Sequence, residues 1–173
     1  KMSQVLFCTK EDIIRRSPIL NGDIDSDRLI PALHLSQTQY LREIIGTELY
    51  NYYDTAIRAL PGTQIPTNHK TLLDDYIKPI LIHLTISEYL KSGSFLVTNK
   101  GIFKPASDNS SAASTEEVKE LIQVERDRAQ SYTERFLDYM AFNATTKGIT
   151  QWYSNSNDDV SPNYESFTID WVI

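Results

Sequence analysis

Apolar side chains recur at spacings of three and four residues along most of this 173-residue chain. Side chains with this spacing lie on one face of an α-helix, and the pattern constrains the fold more than any other feature. It extends over about residues 27–57, 70–90 and 115–144. Thr9, followed by Asp12 three residues later, resembles an N-cap signal. It predicts a shorter helix that begins at this point, ahead of the three long stretches. The sequence therefore predicts a mainly α protein, a helical bundle of about four to five helices.

Glycine and proline residues divide these helical stretches. Gly46 interrupts the first stretch, and Thr47 is predicted to cap its continuation until Pro61-Gly62 ends it. Pro79 lies inside the second stretch and should bend it, because proline removes one helical hydrogen bond and crowds the preceding turn. Apolar residues surround this second helix on almost all sides, so we predict that it is the central, most buried element.

A small β-hairpin is predicted after the central helix, within residues 94–104. Two short β-like runs, Phe95–Val97 and Ile102–Lys104, are joined by residues that include Asn99 and Gly101. Asn and Gly tolerate positive φ, as tight hairpin turns require. Because a two-stranded hairpin is marginal by itself, we expect this one to contact another subunit or ring.

The last helical stretch begins with a clear capping box. Ser114 is followed by Glu117 three residues later, and the helix is predicted to run from Thr115 to Ala144. Its apolar stripe is close to a heptad pattern, but Glu125 lies inside it. We interpret the stripe as packing within the domain in preference to a dimeric coiled coil.

The tail from Gly148 onward has a different character. It is polar at 154–163, and its last segment alternates, with Phe167, Ile169 and Trp171 on one face. A lone strand is not stable in water, so this segment needs a sheet edge to join. We predict one helical domain over residues 1–147 and an extended C-terminal arm over 148–173. The alternative is that the aromatic residues of this arm fold back over the core of their own domain.

The charge balance argues against gripping nucleic acid. The formal net charge is −6, and the largest cluster of Lys and Arg is the pair Arg15 and Arg16. Such a molecule repels phosphate as a whole, but an acidic wall beside DNA lets the polymer slide. The sequence contains no apolar run of membrane-spanning length and no apolar segment typical of a signal peptide, so we expect the chain to fold where it is made.

No constellation for catalysis or metal binding is evident, and we expect neither an enzyme nor a cofactor. His34, His69 and His83 lack the i, i+4 spacing of a zinc site. The acidic turn at 23–27 fails as a calcium loop, because position six lacks the glycine that it requires. Cys8, in an apolar context, is predicted to be a buried structural thiol.

The order of these elements resembles that of the head-to-tail adaptor, or head-completion, proteins of tailed bacteriophages. The resemblance covers about residues 9–146 and includes virion structural proteins of crAss-like and other Bacteroidetes phages. The segments that carry it read LIPALHLSQTQYLREIIGTELYNYYDTAI, LLDDYIKPILIHLTISEYL, FLVTNKGIF and YTERFLDYMAFN. None of these segments is a catalytic signature.

The resemblance implies a homo-oligomeric ring, expected to be dodecameric, in the neck of the virion at the head–tail interface. Such a ring would be assembled in the cytoplasm of the host bacterium. It would bind the portal protein on one side and the next neck or tail ring protein on the other. DNA would pass through its channel without specific binding.

Aromatic and strand-like positions in the hairpin and the tail are the predicted partner-binding residues, since aromatic side chains are favoured at interface centres. They are Phe95, Val97, Asn99, Lys100, Gly101, Phe103, Trp152, Phe167, Ile169 and Trp171. The alternative function is another oligomeric assembly or regulatory protein, such as a small terminase-like packaging factor. That class would require a basic helix-turn-helix surface, which the sequence lacks.

Overall fold

The computed structural model describes residues 5–17, 20, 24–60, 62, 64–93, 96–98, 101–103, 114–154 and 160–162. Within them the chain is mainly helical, as predicted. Helix α1 is Lys10–Arg16; α2 spans 26–45; α3 is Thr47–Arg58; α4 spans 67–93; and α5 is Thr115–Asn143. A single 3-10 turn, Thr150–Trp152, follows α5.

Helices α2 and α4 each contain a wider, π-type turn, at Ser36–Leu41 and Leu73–Ile77. In the second, the Lys78 amide donates to the Leu73 carbonyl, five residues earlier instead of four. Pro79 follows directly, so the wider turn lies where the proline ring would crowd a regular one.

Helix α4 is the centre of the fold, which confirms the sequence prediction. Every residue from 80 to 87 is buried, so the helix is covered on all sides. It packs against α5 along one flank and against α2 along another. The two hydroxyl side chains of this run form hydrogen bonds within the helix, since Thr85 donates to the Leu81 carbonyl and Ser87 to the Leu84 carbonyl.

Local capping explains where α1 and α5 begin. Thr9 accepts from the Asp12 amide while the Asp12 carboxylate accepts from the Thr9 amide, both at 3.1 Å. Ser114 and Glu117 form the same reciprocal pair before α5. Both helix starts are therefore determined by side chains three residues apart, as the sequence predicts.

Gln37, buried in the π-type turn of α2, holds the N-terminal segment. Its side-chain oxygen accepts from the Phe7 amide at 2.9 Å, and its nitrogen donates to the Val5 carbonyl at 2.9 Å and to the Tyr50 hydroxyl at 3.1 Å. Phe7 packs its ring on Tyr50, with 5.1 Å between ring centroids. One side chain inside a helix thus supplies both a donor and an acceptor to the backbone of residues 5–7.

The break between α2 and α3 differs from the prediction in how it is capped. Thr47 was expected to act as a cap, but Gly46 occupies the cap position and no side chain caps α3. The Thr47 amide instead donates to the Val160 carbonyl at 2.9 Å. A distant segment of the chain supplies the acceptor that a capping side chain would otherwise provide, so the prediction for Thr47 is wrong.

The helical domain extends past the predicted boundary at residue 147. Ile149 and Trp152 belong to the core, and the Trp152 indole, 3% exposed, packs edge-on against Phe136 at 5.4 Å. Residues 160–162 then return to the α2–α3 break. The structure thus corrects the expectation that the arm begins at residue 148 and that Trp152 is a partner contact, because burying this indole in its own core removes a large apolar surface from water.

Two three-residue strands, β1 (Leu96–Thr98) and β2 (Gly101–Phe103), pair antiparallel with Leu96 opposite Phe103. This pair is shorter than the hairpin predicted over 94–104. Positions 94–95, 99–100 and 104 lie outside the described residues, so the complete hairpin stays a prediction.

Gly46 combines two requirements that only glycine meets. Its φ of +78° and ψ of 159° lie in a region that side chains rarely adopt, and a Cβ there would lie 2.7 Å from the Pro162 ring. We expect Gly46→Ala to lower the free energy of unfolding by at least about 2 kcal/mol, because such backbone strain alone costs roughly 1–3 kcal/mol. Urea denaturation measures this loss.

Gly148→Ala is the matched control for that substitution. Gly148 also has positive φ, +67°, but a Cβ at this position would meet nothing within 4 Å. It should therefore cost only the strain of roughly 1–2 kcal/mol. Adding Pro162→Ala should recover part of the loss in Gly46→Ala and none in Gly148→Ala. Equal losses at both glycines, without recovery, would contradict a role for the Pro162 contact.

Candidate functional site

The predicted partner-binding residues divide by what the structure describes of them. Phe95, Asn99, Lys100, Phe167, Ile169 and Trp171 lie outside the described residues. Val97, Gly101 and Phe103 lie in the paired strands, where only the backbone is described. Trp152 is in the core. Of these positions, the described residues bring together only Val97, Gly101 and Phe103, through strand pairing. A different group of side chains forms the candidate site.

A buried carboxylate organises this group. Glu125, on α5, is 0% exposed. One of its oxygens lies 2.7 Å from Nδ1 of His83 on α4, and the other accepts a hydrogen bond from Arg128, one turn further along α5. Tyr132 stacks on His83, with 5.4 Å between ring centroids and 11° between planes. An ionised carboxylate only accepts hydrogen bonds, so its contact with His83 requires the form of the ring that carries a proton on Nδ1.

This cluster forms one wall of an open cavity of about 510 Å³. The other wall comes from the end of α1. The lining side chains are Arg15, Arg16, Ser17, His83, Arg128 and Tyr132. Three guanidinium groups therefore converge on one cavity in a protein whose net charge is −6.

Arg15 and Arg16 lie in the last turn of α1, where a cation also interacts favourably with the helix dipole. Both side chains are exposed. Arg16 donates to the backbone carbonyl of Asp74 at 3.4 Å, and neither guanidinium pairs with a carboxylate in the described part of the chain. Helix-end stabilisation explains their position in the sequence, but it leaves their charge available to a ligand or partner.

Helix α5 carries a second unusual feature, a strip of exposed apolar side chains. Phe142 is 81% exposed, and Leu121 and Val124 are also exposed. With about 100° between successive residues, these three lie on the side of the helix that also bears Arg128. Exposed apolar side chains on the same side of one helix are typical of a surface that binds another protein.

The outer side of α5 is acidic. Asp127, Glu134 and Asp138 follow one another at spacings of seven and four residues and lie on one side of the helix. Gln123 donates to Asp127 at 2.8 Å, and Gln130 donates to Glu134 at 3.1 Å. These bonds hold two of the carboxylates in place, so α5 presents an acidic strip beside an apolar and basic one.

The remaining chemistry-bearing residues have structural roles. Cys8 is buried, and burial raises the pKa of its thiol to about 12, so it stays protonated, as expected of a structural thiol. His69 is buried beside Tyr52, with 4.3 Å between ring centroids, and burial lowers its pKa. In the described residues, no three His, Cys, Asp or Glu side chains are grouped as metal ligands would be. No described helix is both long and apolar enough to span a bilayer.

Two parts of this site have a signal in the sequence, but nothing in the sequence connects them. The Arg15-Arg16 pair was the largest basic cluster, and Glu125 interrupted the apolar stripe of α5. A charged residue inside such a stripe is a signal for a buried partner, here His83. The apolar side of α5 that includes Phe142 gave no signal, because a helical stripe does not reveal which apolar residues the core leaves uncovered.

The family described as a family of unknown function, DUF6712, matches residues 41–162, well over half of the chain. No curated protein and no solved structure matches the chain. The matched segment includes His83, Glu125 and Arg128, and it extends from just before Gly46 to Pro162. Helix α1, with Arg15 and Arg16, precedes it.

The buried carboxylate should contribute to stability through charge. Glu125→Gln keeps the shape of the side chain but loses the charge-assisted bonds to His83 and Arg128. We expect a loss of about 1–3 kcal/mol in the free energy of unfolding, measured by urea denaturation. Glu134→Gln, on the outer side of the same helix, is the control and should change it by less than about 0.5 kcal/mol. Similar values for the two variants would contradict this account of Glu125.

Proposed function

Because the chain belongs to the DUF6712 family, whose function is unknown, we propose a function from its resemblance to head-to-tail adaptor proteins and from its own surface: it is a non-catalytic structural protein of a bacteriophage virion. In this proposal, copies of the chain form a ring between portal and tail, a head–tail adaptor in the neck. The ring extends the DNA channel and docks the next neck or tail component.

The observation that carries the proposal is the surface of α5. A 29-residue helix gives one side to the core and exposes Phe142, Leu121 and Val124 on another. Covering an aromatic side chain that is 81% exposed with a second protein removes a large apolar surface from water, which favours binding.

The charges of the molecule support the ring in particular. A ring needs head-to-tail contacts between two different surfaces of each copy. Helix α5 alone offers an apolar and basic side and an acidic side. A net charge of −6 also suits a channel wall that DNA passes without being held.

The hairpin and the end of the tail complete the proposal. In a ring they would supply contacts between subunits or to the next ring, with the alternating segment Phe167, Ile169 and Trp171 adding to a neighbour's sheet edge. The return of residues 160–162 to Gly46 favours this, because it anchors the chain just before that segment begins.

Phe142 provides the test of self-association. Native mass spectrometry and sedimentation velocity of the full chain should detect a closed oligomer of defined copy number. Phe142→Ser should weaken self-association at least tenfold, since a central aromatic contact contributes about 1.4 kcal/mol or more. It should leave the melting temperature of the monomer, measured at a concentration below that of assembly, unchanged, because the side chain is exposed in the folded monomer.

Leu60→Ser is the control for that variant. Leu60 is 48% exposed in the turn after α3, and its replacement should alter neither assembly nor stability. A full chain that stays monomeric at every concentration tested, or a Phe142→Ser variant that assembles as well as the unaltered chain, would contradict the proposal.

A further inference from the structure

The arginine cavity between α1 and α5 contains two guanidinium groups, those of Arg15 and Arg16, that form no ion pair with a described carboxylate. We infer that it is the receptor, in the proposed ring, for the acidic side of α5 of a neighbouring copy. In this contact the guanidinium groups of Arg15, Arg16 and Arg128 would bind the carboxylates of Asp127, Glu134 and Asp138. The inference rests on the proposed self-association and specifies which two surfaces meet.

The side chains that line the cavity carry positive charge, which favours an acidic occupant. Its lining contains three guanidinium groups, and the only described carboxylate bonded to any of them is Glu125. Arg15 and Arg16 line the cavity side by side without an ion pair to a described carboxylate, although Asp12, one turn before Arg16 on α1, offsets part of the charge of Arg16. Guanidinium groups bind carboxylates through two parallel hydrogen bonds, so these side chains fit oxyanion ligands of this class.

The cavity is also preorganised, because some of its side chains are held in place before a partner binds. Glu125 fixes Arg128, and His83 is held by both Glu125 and the stacked ring of Tyr132. A buried carboxylate of this kind is weak evidence for stability, since desolvation costs much of what the ion pair contributes. It does hold a guanidinium at the cavity wall before any partner arrives, which reduces the ordering cost of binding.

Charge complementarity favours the acidic side of α5 of a second copy as the occupant. The net charge of −6 disfavours a nucleic acid, and the acidic side of α5 is a surface of the right sign on every copy. The side chains of Asp127 and Glu134 are already held by Gln123 and Gln130. Because Asp127 and Arg128 are about 100° apart around the helix, one copy can receive a neighbour at the cavity and present its acidic side to another.

Charge reversal of each surface tests this pairing. The cavity variant carries Arg15→Glu and Arg16→Glu, and the acidic-side variant carries Glu134→Arg and Asp138→Arg. Each alone places like charges in every contact, so sedimentation velocity should show at least a tenfold weaker self-association. An equimolar mixture should restore assembly, because each cavity then meets an oppositely charged neighbour in an alternating ring.

The control carries Lys70→Glu and Lys119→Glu, the same change in net charge as the cavity variant at exposed positions outside both surfaces. It should assemble like the unaltered chain. If the unaltered chain assembles and both variants do too, or if the mixture does not recover, the pairing is wrong while the proposed self-association stands. If the unaltered chain is monomeric, the proposed function and this inference both fail.

A nucleic acid is the competing occupant. Binding of a fluorescent DNA duplex, measured by anisotropy, should be weak and equal for the unaltered chain and the control. A loss of DNA binding specific to Arg15→Glu and Arg16→Glu, with unchanged self-association, would overturn the inference in favour of a phosphate backbone.

Discussion

The complete burial of α4 is the constraint on which the rest of the fold depends. A helix that is apolar on all sides has to be surrounded, and residues 80–87 are covered by α2 on one flank and α5 on another. Each surrounding helix can then give only one side to the core. The outward sides of those helices face solvent or partners. Helix α5 is the longest of them and therefore has the longest outward side.

The polar contacts between α4 and α5 connect this core to the surface. Glu125 lies within the packed interface of the two helices, yet one of its oxygens binds Arg128 at the cavity wall. A fully apolar residue at this position would pack without the desolvation cost. The carboxylate therefore makes most sense as a positioning residue, which holds a guanidinium at an otherwise solvent-exposed site and ties it to the most buried helix of the domain.

Contacts that are local in sequence were predictable, and contacts between distant segments were not. Spacings of three and four predicted the helices, and the Ser114–Glu117 box predicted where α5 begins. The contact of Pro162 with Gly46 and the burial of Trp152 were not predictable. No local pattern distinguishes a segment that returns to the core from an extended one. The cavity was missed for the same reason, because Arg15 and Arg128 meet only once the helices have packed.

Disruption of the gene for this chain, which the proposed function assigns to a phage genome, is the most direct test of the central claim, that the protein joins head to tail. Electron microscopy of the resulting lysate should show DNA-filled or DNA-leaking heads and free tails that fail to join, and complementation with the intact chain should restore complete virions. Complete, infectious particles formed in the absence of the protein would contradict the account.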